Sequence, residues 1–225
     1  MADLYLPEAE PAYTRSVLLA VELLDAVTLE PVTRTVRVSA PPLAPSPVVN
    51  ASGRFVWLLT GPLRPARVIV EPGALPYDRE DVAAPPLPAA LLPATNRLLR
   101  IWLRPRRGYR YADGVTVVSG RLVDATVPAP VPVARADVWL EWRDDTAAWR
   151  ALRARTFTRV AGGGEFTAFL RLSAPDQIPP DAKGLLALRL GAERPGLGIR
   201  HSPPFTLPQG ARHALAAALA WNDMA

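Results

Sequence analysis

The chain has 225 residues, about half of them apolar, with 26 basic against 21 acidic side chains and no cysteine. That composition supplies enough apolar surface for a buried core and argues against global disorder. The missing thiols exclude disulfide stapling, thiolate metal sites and thiol catalysis. The 26 prolines lack a backbone donor and stay out of helix interiors and central strands, so the chain reads as short strands joined by many turns. The net charge of +5 is shared almost evenly, with 13 basic against 10 acidic residues over 1–110 and 13 against 11 over 111–225. Nucleic-acid binders carry a clustered basic face instead. Every basic residue but Lys183 is arginine, the bias of a GC-rich genome, so the high pI carries little information about partners.

Residues 1–14 read as an extended acidic arm without the basic region and apolar core of a secretory signal. The longest apolar stretch, 83–94, is interrupted by Pro85, Pro86, Pro88 and Pro93, so no membrane span is expected. The expected location is the cytoplasm, alone or within a particle assembled there.

From residue 17 onward the chain reads twice, and repeats of this kind decide architecture before any local signal does. Segment 17–32 is an apolar run ending Leu23-Leu24-Asp25-Ala26, then a turn and Pro31-Val32; segment 115–131 ends Leu122-Val123-Asp124-Ala125, then a turn and Pro130-Val131. Each is followed by a strand with period-two alternation, 35–39 in the first copy and 136–142 in the second. In the latter, Val138, Leu140 and Trp142 share one face and Asp137, Trp139 and Glu141 the other. Next comes a glycine turn feeding an aromatic strand, Gly53-Arg54-Phe55 in one copy and Gly164-Glu165-Phe166 in the other, with glycine supplying the positive φ of a tight hairpin. Apolar strands follow at 66–70 and 184–190. The copies close on 95–103 and 211–221. The alanines and leucines of 211–221 favour a helix by propensity, whereas its place in the repeat favours a strand, which is the reading taken. On this alignment Asp25 pairs with Asp124, Phe55 with Phe166 and Trp102 with Trp221.

Two copies of about a hundred residues, each with about seven short strands, predict an all-β chain of two tandem immunoglobulin-like antiparallel β-sandwich domains. The expected domains are 1–108 and 109–225, divided within 105–114. At Gly120, Leu122, Val123 and Asp124, Pro130-Val131, Ala136, Val138 and Leu140, and Gly164-Glu165-Phe166, the second copy resembles the carboxypeptidase-regulatory-like, transthyretin-related sandwich. The first copy is similar more loosely, with Glu22 in the place of the glycine. The resemblance implies a non-catalytic spacer or docking module, with no catalytic residues to carry over. Short signal-less proteins of such domains from GC-rich bacteria also resemble accessory components of phage tails and contractile injection particles.

No reactive constellation is legible. The two histidines, His201 and His213, read as surface residues, and no Gly-x-Ser-x-Gly elbow accompanies them. Neither Asp78, Glu80 and Asp81 nor Asp144 and Asp145 have the regular oxygen spacing of a calcium loop; they read as solvated turn acids. The run 162–164 is a hairpin turn, since no Lys-Ser/Thr follows it. No catalytic, cofactor or metal site is therefore expected. Arg100, Arg104, Arg106, Arg107 and Arg110 interleave with Trp102, Tyr109 and Tyr111 in the pattern of a single-strand nucleic-acid patch, although strand alternation divides them between two faces. The segment 139–159 is the better interface candidate. Trp139, Trp149, Arg143, Arg150 and Arg153 are residue types enriched at protein–protein hot spots, and stacked tryptophans there also offer a glycan platform. The expected partners are protein subunits of a larger assembly, with self-association or a glycan-bearing surface as further options.

Overall fold

The structure is a computed structural model and describes residues 16–33, 35–43, 46–59, 62, 64–86, 97–106, 108–126, 129–134, 136–151, 158–159, 162–170 and 180–225. Among the described residues the fold is all-β, with a 3-10 turn at Trp221–Asp223. Among the described residues no helix is long and apolar enough to cross a membrane.

In the N-terminal half, β1 (Val17–Asp25) is the organising strand. Its alternation sends Leu19, Val21 and Leu23 into a core and leaves Glu22 on the opposite face. β3 (Val48–Val49), β4 (Phe55–Leu58), β1 and β7 (Leu98–Leu103) form one sheet in that order, with β4 antiparallel and β7 parallel to β1. The facing sheet is β2 (Arg37–Ser39), β5 (Arg67–Glu71) and β6 (Glu80–Ala83). Phe55, Trp57, Ile101 and Leu103 from the first sheet meet Val38, Val68 and Val70 from the second, two apolar faces closed on each other.

The C-terminal half repeats this plan. β8 (Thr116–Asp124) is flanked by antiparallel β13 (Glu165–Leu170) and by parallel β17 (Arg212–Ala214) and β18 (Leu219–Ala220), with short β9 (Val131–Pro132) beside it. The opposing sheet is built on β10 (Asp137–Arg143) and β14 (Leu185–Arg194). It is extended by β11 (Trp149–Ala151), β12 (Thr158–Arg159), β15 (Gly198–His201) and β16 (Phe205–Pro208). Val138, Leu140 and Trp142 pack inward against Phe166, Ala168, Leu186, Leu188 and Trp221. The closing segment is extended backbone and not helix, because β17 and β18 take their hydrogen bonds from β8.

Register makes the correspondence of the halves definite, and it corrects two alignments. Val21 faces Phe55 as Gly120 faces Phe166, so Val21 stands in the glycine's place and Glu22 does not. The glycine has a steric reason: a Cβ at position 120 would sit 2.9 Å from Leu215 Cδ1 and 3.0 Å from Phe166 Cζ. At the closing strand, Trp102 lies opposite Leu24 and Leu103 opposite Asp25, whereas Ala220 lies opposite Val123. Trp221 thus follows Leu103 in register. A slip of one residue exchanges the faces of a strand: Leu103 and Trp221 are core residues, while Trp102 is half-buried in a third cluster between the halves.

That third cluster joins Ala26 and Val27, in the turn after β1, to Val115, Val117 and Phe169 of the C-terminal half. Trp102, Tyr109 and Tyr111 pack around it. Beside it, Asp25 is only 5% exposed. Its Oδ1 accepts the backbone N–H of Val27 (2.6 Å) and of Thr28 (2.9 Å), and its Oδ2 accepts the hydroxyls of Tyr77 (2.7 Å) and Tyr109 (2.6 Å). Four donors match the acceptor capacity of one carboxylate. Burial first, then the hydrogen bond to Asp25 for Tyr77 and Tyr109 and the charge of Asp25 for Tyr111, push these three phenols far above the ordinary tyrosine range. With folded-state pKa values above those of the unfolded chain, their stabilisation is intact below about pH 10 and is lost as pH rises beyond it. Absorbance at 295 nm during alkaline titration will therefore show these three tyrosines ionising together with the loss of near-ultraviolet circular dichroism; ionisation in the intact fold would contradict this burial.

Candidate functional site

A dense polar arrangement lies on the outer face of the β10–β14–β15 sheet. Period-two alternation puts Trp139 and Glu141 on that face, opposite the core residues of the same strand. Trp139 is nonetheless only 2% exposed. Its cross-strand neighbour is Gly191, which in turn faces His201 on β15. A Cβ at position 191 would overlap the Trp139 indole, so the glycine in mid-strand is where a neighbour approaches closely.

Glu141 is the hub. The Trp139 indole N–H donates to its Oε1 at 2.9 Å, Arg189 Nε donates to its Oε2 at 2.6 Å, and His201 Nε2 lies 3.3 Å from Oε1. The guanidinium of Arg189 then lies over the Trp149 ring, 4.4 Å from its centroid. One carboxylate thereby gathers side chains from β10, β14 and β15, and through Arg189 touches β11. A buried carboxylate costs free energy unless it is paired and hydrogen-bonded, and here both conditions are met.

The hairpin between β10 and β11 carries the remaining predicted residues. Asp144 accepts Thr146 Oγ1 at 2.7 Å, Arg150 Nε at 2.6 Å, and the backbone N–H groups of Thr146 and Ala148 at 2.9 and 2.8 Å. The Thr146 hydroxyl and Arg150 hold its carboxyl down to about 2. Arg143 donates to the Ala147 carbonyl at 3.1 Å. A trough of about 370 Å³ opens beside this hairpin, lined by Arg143, Asp145, Asp181, Ala187 and Thr206.

The candidate interface residues therefore separate. Arg143 and Arg150 are exposed on the hairpin and Trp149 is half-buried beside them, but Trp139 is a packing residue and cannot be touched by a partner. With Trp139 buried and one face of Trp149 covered by Arg189, the two tryptophans do not make an aromatic platform for a sugar. Arg153 lies outside the described residues. His201, read as a plain surface residue, is instead held against Glu141 with its side chain 30% exposed; His213 is exposed on β17.

Among the described residues the arginine–aromatic patch of the linker does not assemble as a patch, and Arg107 lies outside the described residues. Arg100 pairs with Glu22 at 2.9 Å, Arg104 pairs with buried Glu80, and Tyr109 and Tyr111 pack between the halves. Glu80 and Asp81, read as solvated turn acids, instead lie on β6, where Asp81 accepts Arg67 Nε at 2.8 Å from β5 and Glu80 is buried. Among the described residues no group of three or more acidic or histidine side chains is arranged to hold a metal ion. Sequence reasoning missed Arg189, Gly191 and the role of His201. An isolated glycine within an otherwise apolar strand was the available signal for Gly191; the other two are distant in sequence from Glu141 and carry no local mark.

No protein-family model matches the chain, and no curated protein or solved structure gives a significant match.

The cluster makes a direct mutational forecast. Gly191→Ala should destabilise by about 1–3 kcal/mol through overlap with the indole, and Glu141→Leu by about 2 kcal/mol through loss of the shared acceptor. Urea midpoints will fall in both with the slope unchanged. A wild-type midpoint in Gly191→Ala would mean that Trp139 is not packed on that glycine.

Proposed function

We propose that this chain is a non-catalytic structural or adaptor subunit of a larger protein assembly, of the phage-tail-like contractile kind, assembled in the cytoplasm. In this reading its two halves, 1–108 and 109–225, are tandem immunoglobulin-like, transthyretin-related sandwiches. The observation that carries the reading is the sheet-edge strand β3, whose Val48 and Val49 are 59% and 51% exposed. An edge strand offers unpaired backbone groups on its outer side, and addition of a partner strand satisfies them while apolar side chains supply contact area. The same row continues across the sheet: Val48 faces Val56, Val56 faces Ala20, and Ala20 faces Leu98. Pro47, just before β3, and the strand's two-residue length limit indiscriminate self-pairing.

The exposed arginines of the β10–β11 hairpin are a second contact surface in this proposal. Arg150 is tied to Asp144, so its position is fixed before a partner arrives.

The test is gel filtration of the purified chain with capture of its partner from native lysate, repeated with Val48→Lys/Val49→Lys and with Arg143→Glu/Arg150→Glu. The β3 variant is expected to lose partner retention at least tenfold, with a thermal midpoint within about 2 °C of wild type, as suits a surface substitution. A wild-type chain that runs as a lone monomer and retains nothing would overturn the proposal. Undiminished capture by the β3 variant would remove that edge as the docking strand.

A further inference from the structure

The connection between the halves is pinned on both sides. Upstream, residues 104–106 belong to the N-terminal half. The Arg104 carbonyl accepts the Asp78 N–H at 2.9 Å, the Arg106 N–H donates to the Pro76 carbonyl at 3.0 Å, and Tyr77 and Pro105 form an isolated bridge. Downstream, 111–114 belongs to the C-terminal half. Arg212 Nη2 donates to the Tyr111 carbonyl at 2.6 Å, and Gly210 packs on Gly114, where even a methyl group would sit 3.1 Å from Cα.

Between these anchors an aromatic series runs from one half to the other. Tyr77 and Tyr109 ring centroids are 5.8 Å apart, Tyr109 and Tyr111 4.9 Å, and Tyr111 and Phe169 5.9 Å. These are the spacings of tilted and edge-to-face pairs. Tyr109 is also the connector residue that reaches back to Asp25. That bond comes from a residue outside the strands of either half to a carboxylate buried at the end of β1.

The equivalent position in the C-terminal half isolates what is special here. Asp124 ends β8 as Asp25 ends β1, and it too accepts from its own turn, from the Thr126 N–H at 3.1 Å and the Thr126 hydroxyl at 2.7 Å. Its other oxygen takes Arg194 at 2.8 Å, within the same half. The turn device is thus shared, while the tyrosine donors serve Asp25 and have no counterpart among the partners of Asp124.

We infer that Asp25 and Tyr109 form a latch that makes the two halves one cooperative, rigid body. Connected sandwiches move relative to each other by default unless their interface is large and apolar. Here the apolar contact of Ala26, Val27, Val117 and Phe169 is fixed in register by a hydrogen bond to a carboxylate, which is stronger than a neutral one. With Tyr109 unable to donate, Asp25 keeps its turn and Tyr77, but the connector loses its tie to β1. The halves then gain freedom about the stretch between Tyr109 and Tyr111.

The chain has no cysteine of its own, so a Ser52→Cys/Lys183→Cys pair, exposed in different halves, can carry two spin labels for pulsed dipolar distance measurement. The labelled parent should give a single narrow distance distribution and one calorimetric unfolding transition. Adding Tyr109→Phe should broaden the distribution, and split the transition or lower its midpoint by about 3–10 °C. Adding Asp124→Asn instead should lower the midpoint and leave the distribution narrow. A broad distribution in the parent, or a narrow one in Tyr109→Phe whatever its midpoint, would overturn the latch. Neither result bears on partner capture, so the assembly proposal stands or falls separately.

Discussion

One buried carboxylate sets the terms for much of this chain. Asp25 terminates the central strand of the N-terminal sheet, and a carboxylate out of water must find donors for its lone pairs. Two come from the turn it begins, Val27 and Thr28, and two from tyrosines that lie far away in sequence. Satisfying that group fixes the turn after β1, positions Ala26 and Val27 against the C-terminal half, and draws in the connector at Tyr109. The fold of one half and its junction with the next therefore depend on the same atom pair.

The repeated architecture shows how one plan is adapted at two places. β1 and β8 each accept an aromatic strand antiparallel on one side and a closing strand parallel on the other. After the shared aspartate the copies diverge in polarity: Val27 is buried in the first, and Thr126 is exposed in the second. Arg194 closes the second aspartate and also lies 5.3 Å from the Trp221 ring centroid. An apolar turn met by a neighbouring half in one copy becomes a polar, self-satisfied turn in the other. The electrostatics agree, since Arg194 and Thr126 hold the Asp124 carboxyl well below the usual range.

The outer face of the second half follows similar logic with different residues. Glu141 has its oxygens committed to Trp139, Arg189 and His201, and the demand of that carboxylate for donors ties three strands together. Low dielectric strengthens such a network when it is complete and penalises it when one member is missing. Gly191 makes room for the indole on which the network rests.

The sequence by itself determined the all-β character, the alternating faces of β1 and β10, the Gly-x-Phe hairpins and the twofold reading of the chain. Each is encoded locally, in period-two hydrophobicity and in turn residues spaced a few positions apart. Register at the closing strand was not encoded that way, and so Trp102 was matched to Trp221, one place off; Glu22 was matched to the glycine although the paired aspartates, Asp25 and Asp124, already align Val21 with Gly120. Apolar strands of similar composition slide over one another in an alignment, whereas hydrogen bonds and a buried face permit only one pairing. The burial of Trp139 was likewise illegible, because Gly191 meets its indole from a distant strand, and Arg189 reaches the neighbouring Glu141 from 48 residues away. Whether a tryptophan or an arginine faces a partner or a neighbouring strand is decided by what the tertiary fold brings opposite it. Asp25 shows the same division: its turn could be read from the residues beside it, and the two tyrosines that complete its shell could not.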